Sequence, residues 1–377
     1  AAALVAEHGA ALVADGTAGH YFRRRGGRVR RWDKDSVSMA RGGDAFYQEW
    51  RSHDDVVGRI RALVQSSQGA AELLELQPRT HENRSILAVR IRGREWKPHS
   101  PRAIFTYGLH SREWMAVMAG AYAVEAAIKE AMAKQLANVE LVFVPLSNPD
   151  GFIYSTTSDR WWRKNKRPEA PGEIIDPSCG GVDLNRNFDF QWNLYPATEP
   201  CEDTFAGLAA ASEPETQALQ GLVREAEVTL HLDFHSSGGY ILGPWSYTLV
   251  DHWRKAEIDP LGKSLQSAIN ASHGKEFTFC TGNKCLYQCA GNYPDFTSST
   301  GGLGFTVELR PVLHNTFPTA MEDYFAPATT EILPGVEEAY SAVQAAVAWA
   351  SRQGAAQPPA PDGLQVPAGV SKGDGAD

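Results

Sequence analysis

Long hydrophobic runs are absent from the sequence. The longest, residues 115–124, is about half the length that a transmembrane helix needs and contains Gly120, so no membrane span is expected. Positive charge is also in short supply, with 36 Lys and Arg against 45 Asp and Glu and a net charge of −9. This balance argues against a nucleic-acid coat protein, whose affinity for phosphate needs a cationic surface. Because 43% of the 377 residues are hydrophobic, the chain can bury a large core and is not disordered as a whole.

The two ends of the chain differ in composition from the rest. Residues 1–43 hold eight basic residues and four acidic ones, and the arginines from Arg23 to Arg31 flank Gly26 and Gly27. Exposed basic segments of this kind are solvated arms or sites of proteolytic nicking. We expect a protease-sensitive linker here and a disordered tail at 355–377, which is rich in Pro, Gly, Ala and Asp. The first 14 residues lack Met and a basic segment, so they predict a fragment or a trimmed precursor.

Between these ends the hydrophobic pattern alternates between strands and helices. Such a pattern predicts an α/β fold with a mixed, mostly parallel twisted sheet and helices on both faces. Ligands bind such sheets beyond the carboxyl ends of the strands. We expect the last helical region to be interrupted near Pro334. The predicted strands are 86–91, 103–107, 141–146, 228–234 and 305–309, and the predicted helices are 56–64, 112–128 and 322–350.

A His–Glu pair follows the second of these strands. His110 and Glu113 are three residues apart, so on a helical turn their side chains converge and can supply two ligands to Zn²⁺. His235 follows a later predicted strand, at the edge where such sheets bind ligands, and is our candidate for a third ligand. His231 lies on the same face of that strand, deeper in the sheet, and competes for this role. Each residue taken alone is more often a hydrogen-bonded or surface group.

Several other polar residues occupy unusual positions. Glu308 lies within an apolar strand, where a carboxylate is costly to bury unless it is paired. It is therefore either an ion-pair partner of Arg310 or another arginine, or a general base that takes a proton from water. Arg163, Asn185 and Arg186, each taken alone, would be surface polar residues.

Taken together, these segments resemble the zinc metallocarboxypeptidases, in particular the pancreatic-type carboxypeptidase A/B subfamily. They follow one another in the family's order and with family-like spacing between about Asp44 and Gly354. The matching segments are GLHSREW (108–114), NPDG (148–151), WRK (162–164), GVDLNRNF (181–188), FHS (234–236), LYQ (286–288) and FTVELR (305–310).

The resemblance implies a role for each matching residue. His110, Glu113 and His235 would bind one Zn²⁺ and leave its fourth position open. Glu308 would be the general base, and Arg163 would stabilise the developing oxyanion. The remaining implied roles are a clamp for the substrate's terminal carboxylate (Asn185, Arg186 and Tyr287), a more distant subsite (Arg112) and a carboxylate that orients His110 (Asp183).

The resemblance also implies a domain organisation. Residues 44–354 would form a single catalytic domain, and residues 1–43 the carboxyl-terminal remnant of an inhibitory prosegment. An activating protease would cleave at the linker from Arg23 to Arg31. We therefore expect a zymogen-derived enzyme.

The cysteines favour an oxidising compartment. Cys179 and Cys201 match a disulfide of the family, and closing a loop of that size stabilises a fold by roughly 3 kcal/mol. At most one pair can form among Cys280, Cys285 and Cys289, and the sequence leaves the partners open. Potential glycosylation sites at Asn83 and Asn270 are compatible with secretion.

The pocket for the substrate's terminal side chain, aligned on Tyr287, is mostly apolar. In relatives that prefer Lys or Arg, an Asp occupies the position that matches Pro294, and a buried cation without such a partner is costly. Asp295 matches an Asp found in both specificity types. The residues expected to line the pocket are Leu242, Ser246, Gly282, Leu286, Cys289, Asn292, Pro294 and Thr306.

The sequence therefore predicts a secreted, monomeric, zinc-dependent exopeptidase that removes an aromatic or large aliphatic residue from peptide and protein carboxyl termini. One alternative is a binding protein that kept the fold and lost catalysis, against which all three ligands, Glu308 and Arg163 are present. The other is a related zinc amidohydrolase, against which the carboxylate clamp is intact. Neither a nucleic acid nor a membrane is an expected partner.

Overall fold

A central sheet of eight strands organises the described part of the chain. The computed structural model describes residues 43–168, 179–313 and 321–353, so the basic linker and the tail expected at 355–377 lie outside the described residues. The strands are β1 (Ala71–Leu76), β2 (Ile86–Arg92), β3 (Arg102–Tyr107), β4 (Glu140–Val144), β5 (Leu230–Gly238), β6 (Tyr240–Gly243), β7 (Thr278–Thr281) and β8 (Leu303–Val312).

The strand order is β1-β2-β4-β3-β5-β8-β6-β7. The central pairs β4/β3, β3/β5 and β5/β8 are parallel, as is β6/β7, whereas β1/β2, β2/β4 and β8/β6 are antiparallel. The mixed, mostly parallel sheet expected from the sequence is thus confirmed. The carboxyl ends of β3, β5 and β8 lie side by side at its centre.

Helices cover both faces of the sheet. Their bounds are α1 (Gly43–Phe46), α2 (His53–Ser66), α3 (Trp114–Met132), α4 (Pro149–Thr157), α5 (Pro214–Glu225), α6 (Lys255–His273), α7 (Gly282–Cys285), α8 (Tyr293–Ser299), α9 (Met321–Phe325) and α10 (Ile332–Ala350). Short 3₁₀ turns span Leu184–Arg186 and Thr329–Glu331. Within the described ranges, no helix combines the length and the apolarity that crossing a bilayer requires.

The alternation of side chains along the strands divides the core into two layers. Phe105 of β3 and Phe143 of β4 belong to the larger layer, which packs under α2, α3, α6 and α10. Ile104 and Val142, one residue earlier in each strand, belong to the smaller layer under α5 and α8. The central strands β3 and β4 are therefore buried on both faces, as is usual in parallel sheets.

The boundaries of several elements differ from expectation. The helix predicted from residue 112 begins at Trp114, because Glu113 occupies the N-cap position and the preceding residues form the turn that leaves β3. The helical region expected at 322–350 is interrupted just before Pro334, since α9 ends at Phe325 and α10 begins at Ile332 with Pro334 in its first turn. Proline is tolerated there because its missing N–H would have no intrahelical acceptor.

Two disulfides are present in the described residues. Cys179 pairs with Cys201 as the resemblance implies. Cys280 pairs with Cys285, which leaves Cys289 as a free thiol and settles the alternatives that the sequence left open.

Candidate active site

A tight turn at the end of β3 places His110 and Glu113. Gly108 adopts φ +64, and a Cβ atom there would lie 2.7 Å from Val117 Cγ2, so the turn requires glycine. Glu113 is the N-cap of α3, but its side chain forms no capping hydrogen bond. Its carboxylate instead approaches His110, with 2.8 Å between Oε1 and Nδ1.

The polar face of β5 supplies the third residue. Leu230, Leu232 and Phe234 face the large core layer, so the alternate residues of the strand face the other way. His235 Nδ1 lies 3.0 Å from His110 Nδ1 and 3.0 Å from Glu113 Oε2.

His231, the competing candidate, lies deeper on the same strand. Its two ring nitrogens contact Thr106 Oγ1 at 2.8 Å and Thr297 Oγ1 at 3.0 Å. Burial lowers the pKa of this imidazole to about 4, so it is a neutral core residue. The structure therefore brings His235, and not His231, to the His110–Glu113 pair.

Three ligand atoms, one each from His110, Glu113 and His235, lie within 4.8 Å of one another. Two imidazoles and one carboxylate that leave an open position form a donor set typical of catalytic zinc. Outer carboxylates hold both rings in place, because His110 Nε2 lies 3.1 Å from Asp183 Oδ1 and His235 Nε2 lies 2.8 Å from Asp233 Oδ2. Such contacts leave Nδ1 of each ring to face the ion.

Asp233 was missed by the sequence analysis. The sequence spacing could have identified it, since Asp233 lies two residues before His235 on a strand and therefore shares its face. The corresponding partner of His110, Asp183, comes from a distant segment.

Glu308 lies beside His235, because the two residues are register partners on the parallel strands β5 and β8. Arg310, the proposed ion-pair partner, instead binds Glu338 of α10 with two hydrogen bonds of 2.6 and 2.7 Å. Although Glu308 is partly exposed, desolvation by the surrounding protein raises its pKa to about 8, and the negative charges of Glu113 and Asp233 add to this effect.

Arg163 is the guanidinium nearest to this centre. It donates two hydrogen bonds to Asp183 Oδ2, at 2.9 and 3.1 Å, and its Nη1 lies 3.8 Å from Glu113 Oε1. The three carboxylates of Glu113, Asp183 and Asp233 thus outnumber the local permanent cations. This surplus of negative charge, together with the converging donor atoms, fits a divalent cation.

A second guanidinium, Arg186, lies close to Arg163 and is buried. Its Nη2 donates to Tyr287 Oη at 2.9 Å, and its Nη1 donates to the carbonyl of Asn185 at 2.8 Å. Among the described residues, no carboxylate forms an ion pair with Arg186. Tyr287 is 40% exposed and so lies where a substrate can reach it.

The amide of Asn185 is partly committed to the fold, because its Oδ1 accepts a hydrogen bond from the backbone of Tyr293 at 3.0 Å. Arg112, expected at a more distant subsite, binds Asp203 Oδ2 at 2.8 Å and lies over the ring of Phe325. Asp203 was not predicted, and nothing in its sequence context marks it.

The expected pocket residues come from four segments. Leu242 of β6 and Thr306 of β8 are register partners. Gly282 packs against Ser246, where a Cβ atom would lie 2.6 Å from Ser246 Oγ. Pro294 lies in the first turn of α8, after the N-cap Asn292.

The carboxylate of Asp295, next to Pro294, already accepts hydrogen bonds from the protein backbone. The donors are the backbone amides of Ser246, at 2.9 and 3.1 Å, and of Tyr247, at 3.1 Å. Burial raises its pKa to about 7. A substantial fraction of this carboxyl is therefore uncharged near neutral pH.

Fold and site together define a metal-dependent hydrolase of the α/β class. Residues 60–342 match the family model described as zinc carboxypeptidase. The chain is 30% identical to the metallocarboxypeptidase A-like protein of Trichophyton verrucosum, over 80% of this chain and 70% of that protein. It is 31% identical to carboxypeptidase B of Astacus astacus, over 63% of this chain and 77% of that one.

Solved structures agree with this similarity at the level of the fold. Carboxypeptidase A of Helicoverpa armigera superposes with a TM-score of 0.71 at 24% identity, covering 92% of this chain and 80% of that one. The chain belongs to the zinc carboxypeptidase family and is a metallocarboxypeptidase, a hydrolase that acts on peptide bonds. Relatives at similar identity carry A, B and O names, so their names leave the preferred substrate open.

Proposed function

We propose that this protein is a secreted zinc exopeptidase that removes single residues from the carboxyl termini of peptides and proteins, with a preference for aromatic and large aliphatic residues. The observation that carries the proposal is Arg186, a buried guanidinium beside the His/Glu centre without a carboxylate partner among the described residues. A free carboxylate is the ligand that such a group binds most strongly.

His110, Glu113 and His235 would hold the zinc ion. The fit rests on their converging nitrogen and oxygen atoms and on the surplus of carboxylates around them. When bound, zinc polarises the scissile carbonyl and makes water more acidic. Asp183 and Asp233 would keep each imidazole in the tautomer that presents Nδ1.

Glu308 is the residue proposed to move the proton. The described residues give its carboxyl group no hydrogen-bond partner. A divalent cation bound at the centre would favour the ionised form of this group, which would accept a proton from the attacking water and donate it to the nitrogen of the departing residue. Arg163, held by Asp183, would stabilise the negative charge that develops on the carbonyl oxygen.

The clamp of Asn185, Arg186 and Tyr287 would select chain ends. Only a terminal residue presents a free carboxylate, and binding an internal peptide bond would leave Arg186 buried without a counterion. Arg112 would contact the substrate further from its end.

The proposed specificity depends on the uncharged pocket. Leu242, Pro294 and Thr306 supply no charge, and Asp295 is occupied by backbone amides and partly protonated. A lysine or arginine side chain would lose its hydration there without gaining a counterion.

The proposed biological setting is the extracellular space, where disulfides persist. The two disulfides support this location. We also propose that the enzyme is a monomer derived from a zymogen by cleavage near Arg23 to Arg31, a segment outside the described residues.

One assay tests the activity. The enzyme should hydrolyse an amino-blocked dipeptide that ends in Phe with a free carboxylate and should lose activity with a zinc chelator. The same dipeptide with a carboxamide end is the matched control and should be cleaved about 10- to 150-fold more slowly, since a hydrogen bond to a charged group contributes about 1.5–3 kcal/mol. Equal cleavage of both would refute the carboxylate clamp, and cleavage unaffected by the chelator would refute the metal.

A further inference from the structure

A second cluster of metal-ligating side chains lies outside the centre described above. It consists of His81, in the turn between β1 and β2, and of Glu213 and Glu215 at the start of α5; we name it the His81 cluster. One ligand atom from each residue lies within 4.8 Å of the other two. The described residues contain only this group and the His110 group with such geometry.

The two carboxylates are held close together. Asn165 Nδ2 donates to Glu213 Oε2 at 2.7 Å and to Glu215 Oε2 at 2.9 Å, so one amide nitrogen joins both. His81 Nε2 approaches the same Glu213 oxygen at 2.9 Å. Glu213 and Glu215 are fully buried, whereas the His81 side chain is 24% exposed and closes the cluster from the solvent side.

The cluster is incompletely satisfied. Glu215 Oε1 is buried and has no hydrogen-bond partner among the described residues. Nor does any described arginine or lysine form an ion pair with either glutamate. The neighbouring Arg84 is already bound to Asp150 at 2.7 Å and to Glu82. Two buried carboxylates therefore share one imidazole, and a buried carboxylate oxygen without a partner is costly.

We propose that His81, Glu213 and Glu215 form a second divalent-cation site, separate from the His110 centre, that binds a first-row transition ion such as Zn²⁺. One imidazole nitrogen and carboxylate oxygens suit ions of this class. The cation would compensate both carboxylates and occupy the unpartnered oxygen of Glu215. The cation would enter on the side of His81, the one partly exposed member of the cluster.

The cation would connect two segments that are remote in sequence, and the hydrogen bonds from Asn165 to both glutamates attach a third. Asn165 is two residues from Arg163, and its Oδ1 accepts the backbone N–H of Val182 at 2.8 Å, next to Asp183. A cation at the second site would therefore stabilise the two segments that carry Arg163 and Asp183. Its expected effect is on stability, because metal binding to a folded site stabilises the fold.

The test counts metal ions. The full chain is stripped with a chelator, reloaded with Zn²⁺, freed of excess by gel filtration and analysed by mass spectrometry. We expect about two zinc ions per chain in the native protein and about one in His81→Gln. The matched control is His273→Gln, which removes a surface histidine that contacts a single carboxylate, Glu337 at 2.7 Å, and should retain both ions.

A background without the first site isolates the second. In His235→Ala, added Zn²⁺ should still raise Tm, and this rise should vanish when His81→Gln or Glu215→Gln is added. Glu215→Gln retains the side-chain shape and an oxygen for Asn165, so it provides a second variant if His81→Gln folds poorly.

Three outcomes would overturn the proposal. If the native chain binds one zinc ion and His235→Ala binds none, only the His110 centre binds zinc. If His81→Gln still binds two zinc ions, the second ion binds at a site other than the His81 cluster. A drop in Tm for His81→Gln that is equal with zinc and with chelator means that the cluster holds a proton and an ion pair instead. Failure of the proposed exopeptidase activity would change none of these readings.

Discussion

The preference for the terminal side chain can be reversed at one position if the pocket is as proposed. The change is Pro294→Asp, which places a carboxylate at the position where relatives that prefer Lys or Arg carry one. Pro294 lies in the first turn of α8, where the helix dipole favours an acidic residue. The fold should therefore tolerate the substitution, apart from the rigidity that proline gives to the turn.

The expected magnitude follows from the charge pair. Two unit charges about 4 Å apart attract by about 4 kcal/mol at an effective dielectric constant near 20. Desolvation of both groups and repulsion from the neighbouring Asp295 cancel part of this energy. A remainder of about 2–3 kcal/mol would raise the ratio of kcat/KM for C-terminal Arg over Phe by roughly 30- to 150-fold.

The assay compares peptides that differ only in their last residue, which is Phe, Leu, Lys or Arg. Pro294→Asn is the matched control, because it has the size of Asp without the charge and should retain the native order of substrates. If Pro294→Asp leaves the Arg/Phe ratio within twofold of the native value, Pro294 does not line the pocket. A native enzyme that prefers Arg or Lys by tenfold would refute the specificity itself.

Further predictions concern the chemistry of the site and the metal. Glu308→Gln should bind zinc normally but lower kcat by at least about 10²–10⁴, because the proton carrier is lost; near-normal turnover by the zinc-loaded variant would contradict this. Arg163→Ala should lower kcat by about 10²–10³, as loss of one oxyanion donor does, and an effect on KM alone would refute that role. Zinc content, measured by mass spectrometry, should fall by one ion per chain in His235→Ala but not in His231→Ala. The opposite result would make His231 the third zinc ligand in place of His235. Because the pKa of the Asp295 carboxyl is raised to about 7, this group gains negative charge as pH rises through 7. The Arg/Phe ratio of kcat/KM should therefore increase severalfold between pH 6 and pH 8. The same increase in Asp295→Asn would show that the charge of Asp295 is not its cause.

The sequence predicted the sheet and most of the centre because their signals are local. Apolar runs and alternation located β2 to β5 and β8, and they also indicated which face of β5 carries His235. His110 and Glu113 were recognisable from their spacing after a strand. Glu308 was conspicuous as a charge within an apolar strand, although sequence alone could not choose between a base and a partner of Arg310.

Boundaries and pairings were harder to predict because they depend on neighbours. The carboxylate of Glu113 approaches His110 and His235 rather than the helix amides, which places the start of α3 after it. Cys280 and Cys289 are equally plausible partners of Cys285 in sequence, and the geometry of β7 and α7 selects Cys280.

The sequence by itself therefore determined the family, the α/β architecture and the residue types available for metal binding and proton transfer. Only the tertiary structure decided that Arg310 binds Glu338 and leaves Glu308 free. It also brought His81 to two glutamates more than 130 positions away in the chain. The physical reason is that hydrophobic periodicity is set by contacts within one element, whereas the partner of a buried charge is set by which elements the folded chain packs together.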